Sequence, residues 1–389
     1  MVFRILLQIL IPFFLLEVFL RIINFDTYSF RGYPYNYFIQ DNVNKYDINL
    51  NIKKKFNFKE FPHEIWGNNI GCFDKDLDIN INDYILLIGD SVSWGYVPYE
   101  NNWGNLLEKK LNKDVLQCGV PGYGTKQQYN KIQKILSKLK NKPELIILQY
   151  TFTNDLLNDY LFPQYRVQDG FLITNNQIKS FLTGEISVNK QSKIFKKIKY
   201  FLNEYSYSFR FFHKFHAKIK RKFKKNNSEL KVENNNNLNN YYPFHLPYLD
   251  EKEFNWLTLA WEDHLQNILN IKKLTEEFNI NFLFVFYGTI PDYASPYFID
   301  AKNKKITLTL DNENKVLEFI KLNNINYINI SKVIWEYANY KSIFDESKLK
   351  GDLLWNYDVG HPNIKGHNFF SLHISNKILE SKLTNWNFI

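Results

Sequence analysis

An alternation of short apolar segments with helical patterns constrains the fold of this chain more than any other feature. The segments YILLIGDS (84–91), DVLQCGVPGYG (114–124) and PELIILQYTFTND (143–155) begin as apolar runs of strand length and end in polar or glycine-rich residues. Residues 101–111 and 125–140, which lie between them, carry apolar side chains at helical spacing. Strands that alternate with helices in this way indicate βαβ units and a parallel sheet.

The alternation stops near residue 160 and resumes near residue 246. The later pattern predicts helices over 254–277, 314–324 and 363–379 and strands over 280–289 and 325–330. We therefore predict one α/β domain made of residues 84–159 and 246–389, with an insertion over residues 160–245. Residues 26–83 are aromatic and polar without periodicity, and we predict an irregular lead-in that packs on the domain.

The N-terminus, MVFRILLQILIPFFLLEVFLRIINF (1–25), is largely apolar between Ile5 and Leu20. A membrane span needs about 20 apolar residues, and no small-residue cleavage site follows this segment. We predict an uncleaved signal-anchor helix over residues 1–25. The alternative is a buried N-terminal helix in which Glu17 and Arg21 pair at i,i+4 spacing. Arginines lie on both sides of the segment, so its orientation stays open.

The net charge of +9 is concentrated in one segment. Residues 190–226 hold thirteen Lys and Arg against one acid, Glu204, so the rest of the chain is slightly acidic. Aromatic residues are interleaved with these bases over 193–225, which permits a helical excursion with a solvated basic face or contact with a membrane surface. We do not favour nucleic-acid binding, because no recognised binding module is present.

The chain has two cysteines, Cys72 and Cys118, too few for a metal site or a disulfide framework. Cys118 lies in a predicted buried strand. We expect two buried, unpaired thiols, although the sequence also allows a single bridge.

Polar side chains follow all three early strands. In an open parallel sheet ligands bind outside the carboxyl ends of the strands, so Asp90-Ser91, the loop 119–124 and Thr153-Asn154-Asp155 are expected to converge on one crevice. Near the C-terminus, Asp358 and His361 stand three residues apart before the last predicted helix.

These residue types fit nucleophilic catalysis on an ester. Ser91 needs a general base, for which His361 is suited near neutral pH, and Asp358 can orient the imidazole. A backbone N–H on a glycine turn and an asparagine amide suit an oxyanion. Each segment also has an ordinary alternative as a turn, a loop or a helix cap. The order of all four along the chain favours the catalytic hypothesis.

The blocks IGDSVSWG, GVPGYG, TFTND and DVGHPN, in this order, resemble the SGNH (GDSL-type) hydrolase family. The resemblance implies a three-layer α/β/α fold of flavodoxin-like type. It does not cover the insertion, which we predict to be largely helical, or the predicted N-terminal hydrophobic helix. It implies Ser91 as nucleophile, His361 as base and Asp358 as orienting acid, with the Ser91 N–H, the Gly122 N–H and the Asn154 amide as the oxyanion hole. Gly119 and Gly124 lie close to Gly122 in sequence. The third block of the family usually reads Gly-x-Asn-Asp, and Phe152-Thr153-Asn154-Asp155 stands there in this chain.

The resemblance implies a serine esterase without metal or organic cofactor. We expect acyl esters as substrates, first O-acetyl groups on cell-envelope carbohydrate and then lipid or thioester substrates. The chain is expected to be anchored to a membrane by its N-terminus, with residues 193–225 as a second contact and the catalytic domain periplasmic or otherwise extracytoplasmic. The alternatives are an O-acyltransferase with the same triad and a non-catalytic, membrane-anchored binding protein.

Overall fold

The computed structural model divides the chain into two compact units. A main unit comprises Tyr33–Phe56, His63–Val188 and Leu238–Ile389, and a helical unit comprises Met1–Gly32, Asn57–Pro62 and Asn189–Asn237. The residues that the structure describes are 2–23, 32–56, 58, 62–160, 162–174, 177–179, 186–188, 198, 201–202, 205–212, 215–216, 219, 247–251, 255–288, 298–301, 304–307, 311–337, 352–354 and 361–381.

The helices and strands of the central sheet and its two faces alternate as the sequence predicts, and additional short strands lie outside this pattern. The strands are Phe38–Ile39 (β1), Asp47–Ile48 (β2), Ile52–Phe56 (β3), His63–Gly67 (β4), Ile85–Ile88 (β5), Val115–Gln117 (β6), Leu145–Thr151 (β7), Tyr165–Gln168 (β8), Phe171–Thr174 (β9), Gln177–Lys179 (β10), Ile186–Val188 (β11), Asn281–Tyr287 (β12), Phe298–Ala301 (β13), Lys304–Thr307 (β14) and Asn326–Asn329 (β15). The helices are Val2–Ile22 (α1), Ser91–Trp94 (α2), Trp103–Leu111 (α3), Thr125–Leu136 (α4), Phe152–Tyr160 (α5), Asn255–Glu277 (α6), Asp311–Leu322 (α7), Ile330–Tyr337 (α8) and Ile364–Glu380 (α9), with a 3₁₀ turn at Tyr99–Asn101.

Five parallel strands form the central sheet of the main unit, in the order β15-β12-β7-β5-β6. In chain order the sheet strands therefore lie 2-1-3-4-5, the flavodoxin-like arrangement. The order reverses between β5 and β7, so the connections that follow these two strands leave toward opposite faces. The crevice that forms at such a switch point is the place where open α/β sheets bind ligands.

Helices cover both faces of the sheet, which makes the main unit a three-layer α/β/α fold. Alternate residues of each central strand point to opposite faces, as in Leu86 and Leu87 of β5, because the side-chain period of a strand is two. One face packs against α4, α5, α6 and α7. The other face packs against α3, α8 and α9.

Small antiparallel pairs lie outside the central sheet. The lead-in, predicted to be irregular, contains β1 paired with β2 and β3 paired with β4. Strands also occupy part of the insertion, where β8 pairs with β9 and β10 with β11. The prediction of a largely helical insertion is therefore wrong for these four strands, at residues 165–168, 171–174, 177–179 and 186–188. Asp169 and Gly170 both have positive φ, 51° and 79°, and this Asp-Gly pair makes the two-residue turn that joins β8 to β9.

Cys72 and Cys118 form a disulfide with a Cα–Cα distance of 4.6 Å. The expectation of two unpaired thiols is therefore wrong, although both sulfurs are buried as predicted. Cys118 directly follows β6, whose neighbour β5 carries the predicted nucleophile at its end. The disulfide therefore links the lead-in covalently to the end of β6.

The helical unit contains α1 and the helical residues 207–212. Among the residues that the structure describes, none of the helices has the combination of length and apolarity that crossing a membrane requires. The predicted transmembrane character of residues 1–25 is therefore not confirmed, although residues 2–22 do form a helix.

His367 on α9 caps the start of α3 in the main unit. Its Nδ1 atom accepts a hydrogen bond of 3.1 Å from the backbone N–H of Trp103, the first residue of α3. The ring is fully buried, and burial, with the nearby His361, lowers the pKa of His367 from 6.5 to about 3. His367 lies outside the four sequence blocks, and the structure gives it this structural contact.

We expect removal of the disulfide to destabilise the main unit. The bridge closes a loop over a sequence separation of 46 residues, and the loss of this constraint on the unfolded chain corresponds to about 4 kcal/mol. The Cys72→Ser/Cys118→Ser double variant should show a free energy of unfolding lower by roughly this amount in urea. Reductant should lower the stability of the wild type and leave that of the variant unchanged. Two reactive thiols in unfolded, unreduced wild-type protein would contradict the bridge.

We expect acid to destabilise the fold through His367. Between pH 6.5 and about 3 the unfolded chain binds a proton at this ring that the folded chain excludes, so the free energy of unfolding falls as the pH falls through this window. The contribution between about pH 6.5 and about pH 4.5 is about 2–3 kcal/mol. Urea unfolding at both pH values should show a smaller loss for His367→Gln, which keeps an acceptor for Trp103. His373→Gln, at a partly exposed position of the same helix, should retain most of the wild-type pH dependence. An unchanged loss in His367→Gln would refute this role.

Candidate active site

Ser91 lies at the first residue of α2, immediately beyond the end of β5. Asp90 is the N-cap residue of this short helix, and its Oδ1 atom accepts a hydrogen bond of 2.8 Å from the Val92 N–H. Ser91 thus stands at the N-terminal end of a helix. Its side chain is largely buried, with 6% of the residue exposed.

The Ser91 hydroxyl and the His361 imidazole are in direct contact. Ser91 Oγ lies 2.8 Å from His361 Nε2, across 270 residues of sequence. His361 precedes α9, while Ser91 follows β5. The fold therefore brings together two residues that are distant in sequence, as expected if both lie in the predicted crevice. A hydroxyl at hydrogen-bond distance from an imidazole is the arrangement that a serine nucleophile and its general base require. Asp358 lies outside the described residues.

Asp90 connects Ser91 to the third block. Its Oδ2 atom accepts a hydrogen bond of 3.2 Å from Asn154 Nδ2. Asn154 lies in the first turn of α5, because β7 ends at Thr151 and the helix begins at Phe152. The sequence had placed this block at the end of the strand. An amide has two N–H donors, so the bond to Asp90 uses one and leaves the second for another acceptor.

Two carboxyl groups lie buried beneath this part of the site. Burial raises the pKa of Asp90, against hydrogen bonds from Val92 and Asn154 that lower it. Burial and the neighbouring Asp90 raise the pKa of Asp155 well above its usual value. Asp155 Oδ2 accepts a hydrogen bond of 3.1 Å from the backbone N–H of Thr151, which fixes the junction of β7 and α5. The ends of β5 and β7 are thus joined through polar groups shielded from water.

The glycine-rich loop 119–124 continues from β6 along the end of β5. The Val120 N–H donates to the Gly89 carbonyl at 3.0 Å, one residue before Asp90. Gly122 has a φ of +77°, and a Cβ atom at this position would lie 2.6 Å from the Tyr165 ring. Both the backbone conformation and the close approach of this ring therefore favour glycine. The Tyr46 hydroxyl holds the loop from the lead-in by donating to the Pro121 carbonyl at 2.8 Å.

Tyr96, which pairs with Tyr33, contacts the imidazole of His361. Neither tyrosine was identified from the sequence. The rings of Tyr96 and His361 have centroids 4.4 Å apart at an interplanar angle of 72°. The Tyr96 hydroxyl lies 2.6 Å from that of Tyr33, which belongs to the lead-in. Tyrosines are abundant in this chain, and no local spacing distinguishes these two. The Asp90 side chain was also assigned no role from the sequence, although its position next to Ser91 indicated that it lies in the site.

A second polar cluster is buried away from Ser91. His264 Nδ1 lies 2.7 Å from Asp159 Oδ2, its Nε2 lies 3.1 Å from the Tyr150 hydroxyl, and Thr125 donates to the same carboxylate. The His264 ring is fully buried and both of its nitrogens have partners, so this histidine is a satisfied core residue. The cluster links α4, α5 and α6. Within the described part of the chain, no group of histidine, cysteine and acidic residues could hold a metal ion.

No protein-family model and no curated protein matches the chain. Several solved structures do. One is described as a member of the lipolytic protein G-D-S-L family from Veillonella parvula DSM 2008, with 12% identity, 77% of this chain and 97% of that chain covered, and a TM-score of 0.35. Another is the acetyl xylan esterase AlAXEase, with 10% identity, coverage of 77% and 98%, and a TM-score of 0.36.

A third is a carbohydrate acetylesterase family member from Sinorhizobium meliloti, with 10% identity, coverage of 78% and 99%, and a TM-score of 0.34. The first of the three carries the name of the family that the four sequence blocks resemble. With all three TM-scores below 0.5, the fold assignment rests on the sheet order and the layers described above.

Proposed function

We propose that this chain is a serine esterase of SGNH type. The observation that carries the proposal is the 2.8 Å contact between Ser91 Oγ and His361 Nε2. His361 removes the hydroxyl proton as Ser91 attacks the ester carbonyl, and the tetrahedral intermediate expels the alcohol, which takes that proton from the imidazolium. Water, activated by the same imidazole, then hydrolyses the acyl-Ser91 intermediate and releases the carboxylic acid.

The remaining groups of the mechanism stabilise charge. We assign Asp358 as the acceptor that orients His361, on the family resemblance alone. We assign the Ser91 N–H, the Gly122 N–H and the second N–H of Asn154 to the oxyanion. The hydrogen bond from Asn154 to Asp90 supports this assignment, because preorganised donors stabilise an oxyanion without reorganisation during the reaction.

The proposed substrates are acyl esters outside the cytosol, first of all O-acetyl groups on cell-envelope carbohydrate. The buried disulfide supports this location, because such bonds form and persist in oxidising compartments. The crevice also presents tyrosines, Tyr96 beside His361 and Tyr165 beside Gly122, whose apolar rings and polar hydroxyls suit a ligand of mixed character. Attachment of the chain to an envelope membrane is part of the same proposal.

An O-acyltransferase is the second candidate, since a sugar hydroxyl can replace water in attack on the acyl-Ser91 intermediate. The same contact between Ser91 and His361 supports it. The two reactions differ in whether acyl groups vanish from a glycan or appear on it. A non-catalytic binding protein on this fold is the third candidate.

We expect Ser91→Ala to abolish hydrolysis of a short-chain chromogenic ester, because the variant lacks the nucleophile. The measurement compares acetyl with octanoyl esters for the full-length wild type and the variant. A fluorescent phosphonate should label the wild type and fail to label Ser91→Ala. Ser93→Ala, at the next serine along the chain, is the control and should still be labelled. Labelling without turnover would indicate a transferase, and the absence of both labelling and turnover would indicate a binding protein.

We expect Asn154→Ala to lower kcat by about 10²–10³-fold with little change in KM, because one oxyanion donor is lost in the transition state alone. The control is Asn368→Ala, at an exposed position on α9, which should keep the wild-type kcat. Urea unfolding of both variants separates catalysis from stability. A loss of kcat below tenfold in a folded Asn154→Ala protein would exclude Asn154 from the oxyanion hole.

A further inference from the structure

The helical unit is held together by an acidic side chain that interrupts an apolar helix. Glu17 of α1 accepts hydrogen bonds from the backbone N–H groups of Tyr207 at 3.0 Å and Ser208 at 2.8 Å, and from the Ser206 hydroxyl at 3.1 Å. Arg21 pairs with Glu17 and donates to the Tyr205 carbonyl at 2.7 Å. Partial burial raises the pKa of Glu17, but these hydrogen bonds outweigh it and bring the pKa down to about 2. Glu17 therefore caps the helical residues 207–212 and remains ionised at neutral pH.

This arrangement leaves an unusual amount of apolar surface exposed. Ile22 is 77% exposed and Phe14 is 68% exposed, and several large apolar side chains of the same unit share this property: Leu10, Ile11, Leu15, Phe19, Phe201, Tyr205 and Phe215. On α1 the positions 11, 15, 18 and 22 follow helical spacing and form one stripe. Exposed apolar patches of this kind mark interaction sites for proteins or membranes.

An apolar groove runs between α1 and residues 201–208. It encloses about 540 Å³, and its walls include Leu10, Phe13, Phe14, Phe201 and Leu202. Arg21, which also lines the groove, lies about 16 Å along α1 from Leu10, at a helical rise of about 1.5 Å per residue. The groove thus has apolar walls and a positively charged side chain, Arg21, further along the helix. An anionic lipid has the complementary features, an apolar chain and a negatively charged headgroup.

The charge of the helical unit indicates whether a second copy of this chain or a membrane covers the exposed apolar surface. Among the described side chains of the helical unit Arg21 is exposed and Arg210 is buried, and the sequence from 190 to 226 has a net charge of +12. Two copies of such a surface repel each other, whereas each Lys or Arg close to an anionic leaflet contributes about 1 kcal/mol of attraction. Aromatic and basic residues together are also typical of segments that lie at a membrane surface.

We propose that the exposed apolar side chains of α1 between Leu10 and Ile23, together with those of Ile198, Phe201, Tyr205, Phe212, Phe215 and Ile219, form a docking surface for an anionic lipid bilayer. The exposed side chains Phe14, Phe19 and Ile22 enter the apolar boundary of the bilayer, and the basic residues contact the lipid headgroups. This inference rests on the envelope location given in the proposed function, and it identifies the surface that contacts the membrane. It does not depend on ester hydrolysis, so the two can fail separately.

The test is flotation of the full-length chain with vesicles of phosphatidylcholine, with and without phosphatidylglycerol, at low and high salt. We expect the wild type to float with the anionic vesicles, with partitioning at least about tenfold weaker on phosphatidylcholine alone. The Phe14→Ser/Ile22→Ser variant should partition at least about tenfold more weakly on the anionic vesicles, because each side chain loses the free energy of burial in an apolar phase. Leu322→Ser, at an 81% exposed leucine of α7, is the matched control and should float like the wild type.

Circular dichroism and phosphonate labelling of Ser91 show whether each variant is folded, independently of flotation. Equal flotation on phosphatidylcholine alone would overturn the anionic-lipid assignment. Failure of the wild type to float, concentration-dependent self-association in place of flotation, or unchanged flotation of Phe14→Ser/Ile22→Ser would overturn the docking surface. Vesicle binding by a chain without esterase activity would leave this inference standing and contradict the proposed function.

Discussion

The candidate active site depends on one buried acceptor, the carboxyl group of Asp90. Its two oxygens hold the Val92 N–H, which starts the helix of the nucleophile, and the Asn154 amide, which starts the helix after β7. The sheet order separates these two helices onto opposite faces, so a link between strand ends is needed to fix Ser91 relative to Asn154. Asp90 supplies this link from a site closed to water, where hydrogen bonds are stronger than at the surface.

The aromatic lead-in completes the site from outside the sheet. Tyr46 holds the glycine loop through the Pro121 carbonyl, and Tyr33 holds Tyr96, which contacts the imidazole of His361. A further anchor is the buried ion pair between Asp47 and Lys131 of α4, at 2.7 Å. Breaking one partner of such a pair leaves an uncompensated buried charge, so the lead-in is fixed to the main unit by more than apolar contact.

The central sheet and the contact between Ser91 and His361 could be predicted from sequence because both follow from short sequence patterns. Apolar runs of strand length and helical spacing gave the five parallel strands, and the order of four short blocks gave Ser91 and His361, which the fold joins. Helix α8 was missed because it follows β15 without an intervening turn signal. The hairpin at Asp169-Gly170 was missed although its turn residues are a strong signal.

Other features depend on tertiary packing and had no sequence signal. The pairing of Cys72 with Cys118 depends on how the lead-in folds over β6. The contacts of Tyr33 and Tyr96 join residues of two different segments, among many tyrosines. Asn154 was predicted at a strand end, but α5 begins at Phe152 and places it in the first helical turn. A pattern of apolar residues does not define an element boundary to within a few residues.

The disulfide joins residue 72 to the residue that immediately precedes the loop 119–124. That loop supplies the proposed Gly122 donor, and its first hydrogen bond, from Val120 to Gly89, lies two residues beyond the bridge. Oxidation of the two thiols and assembly of the loop beside Ser91 therefore concern the same few residues. A chain held in a reducing environment would have only noncovalent contacts to keep this loop in place. The bridge thus couples the covalent fastening of this loop to the redox conditions in which the chain folds.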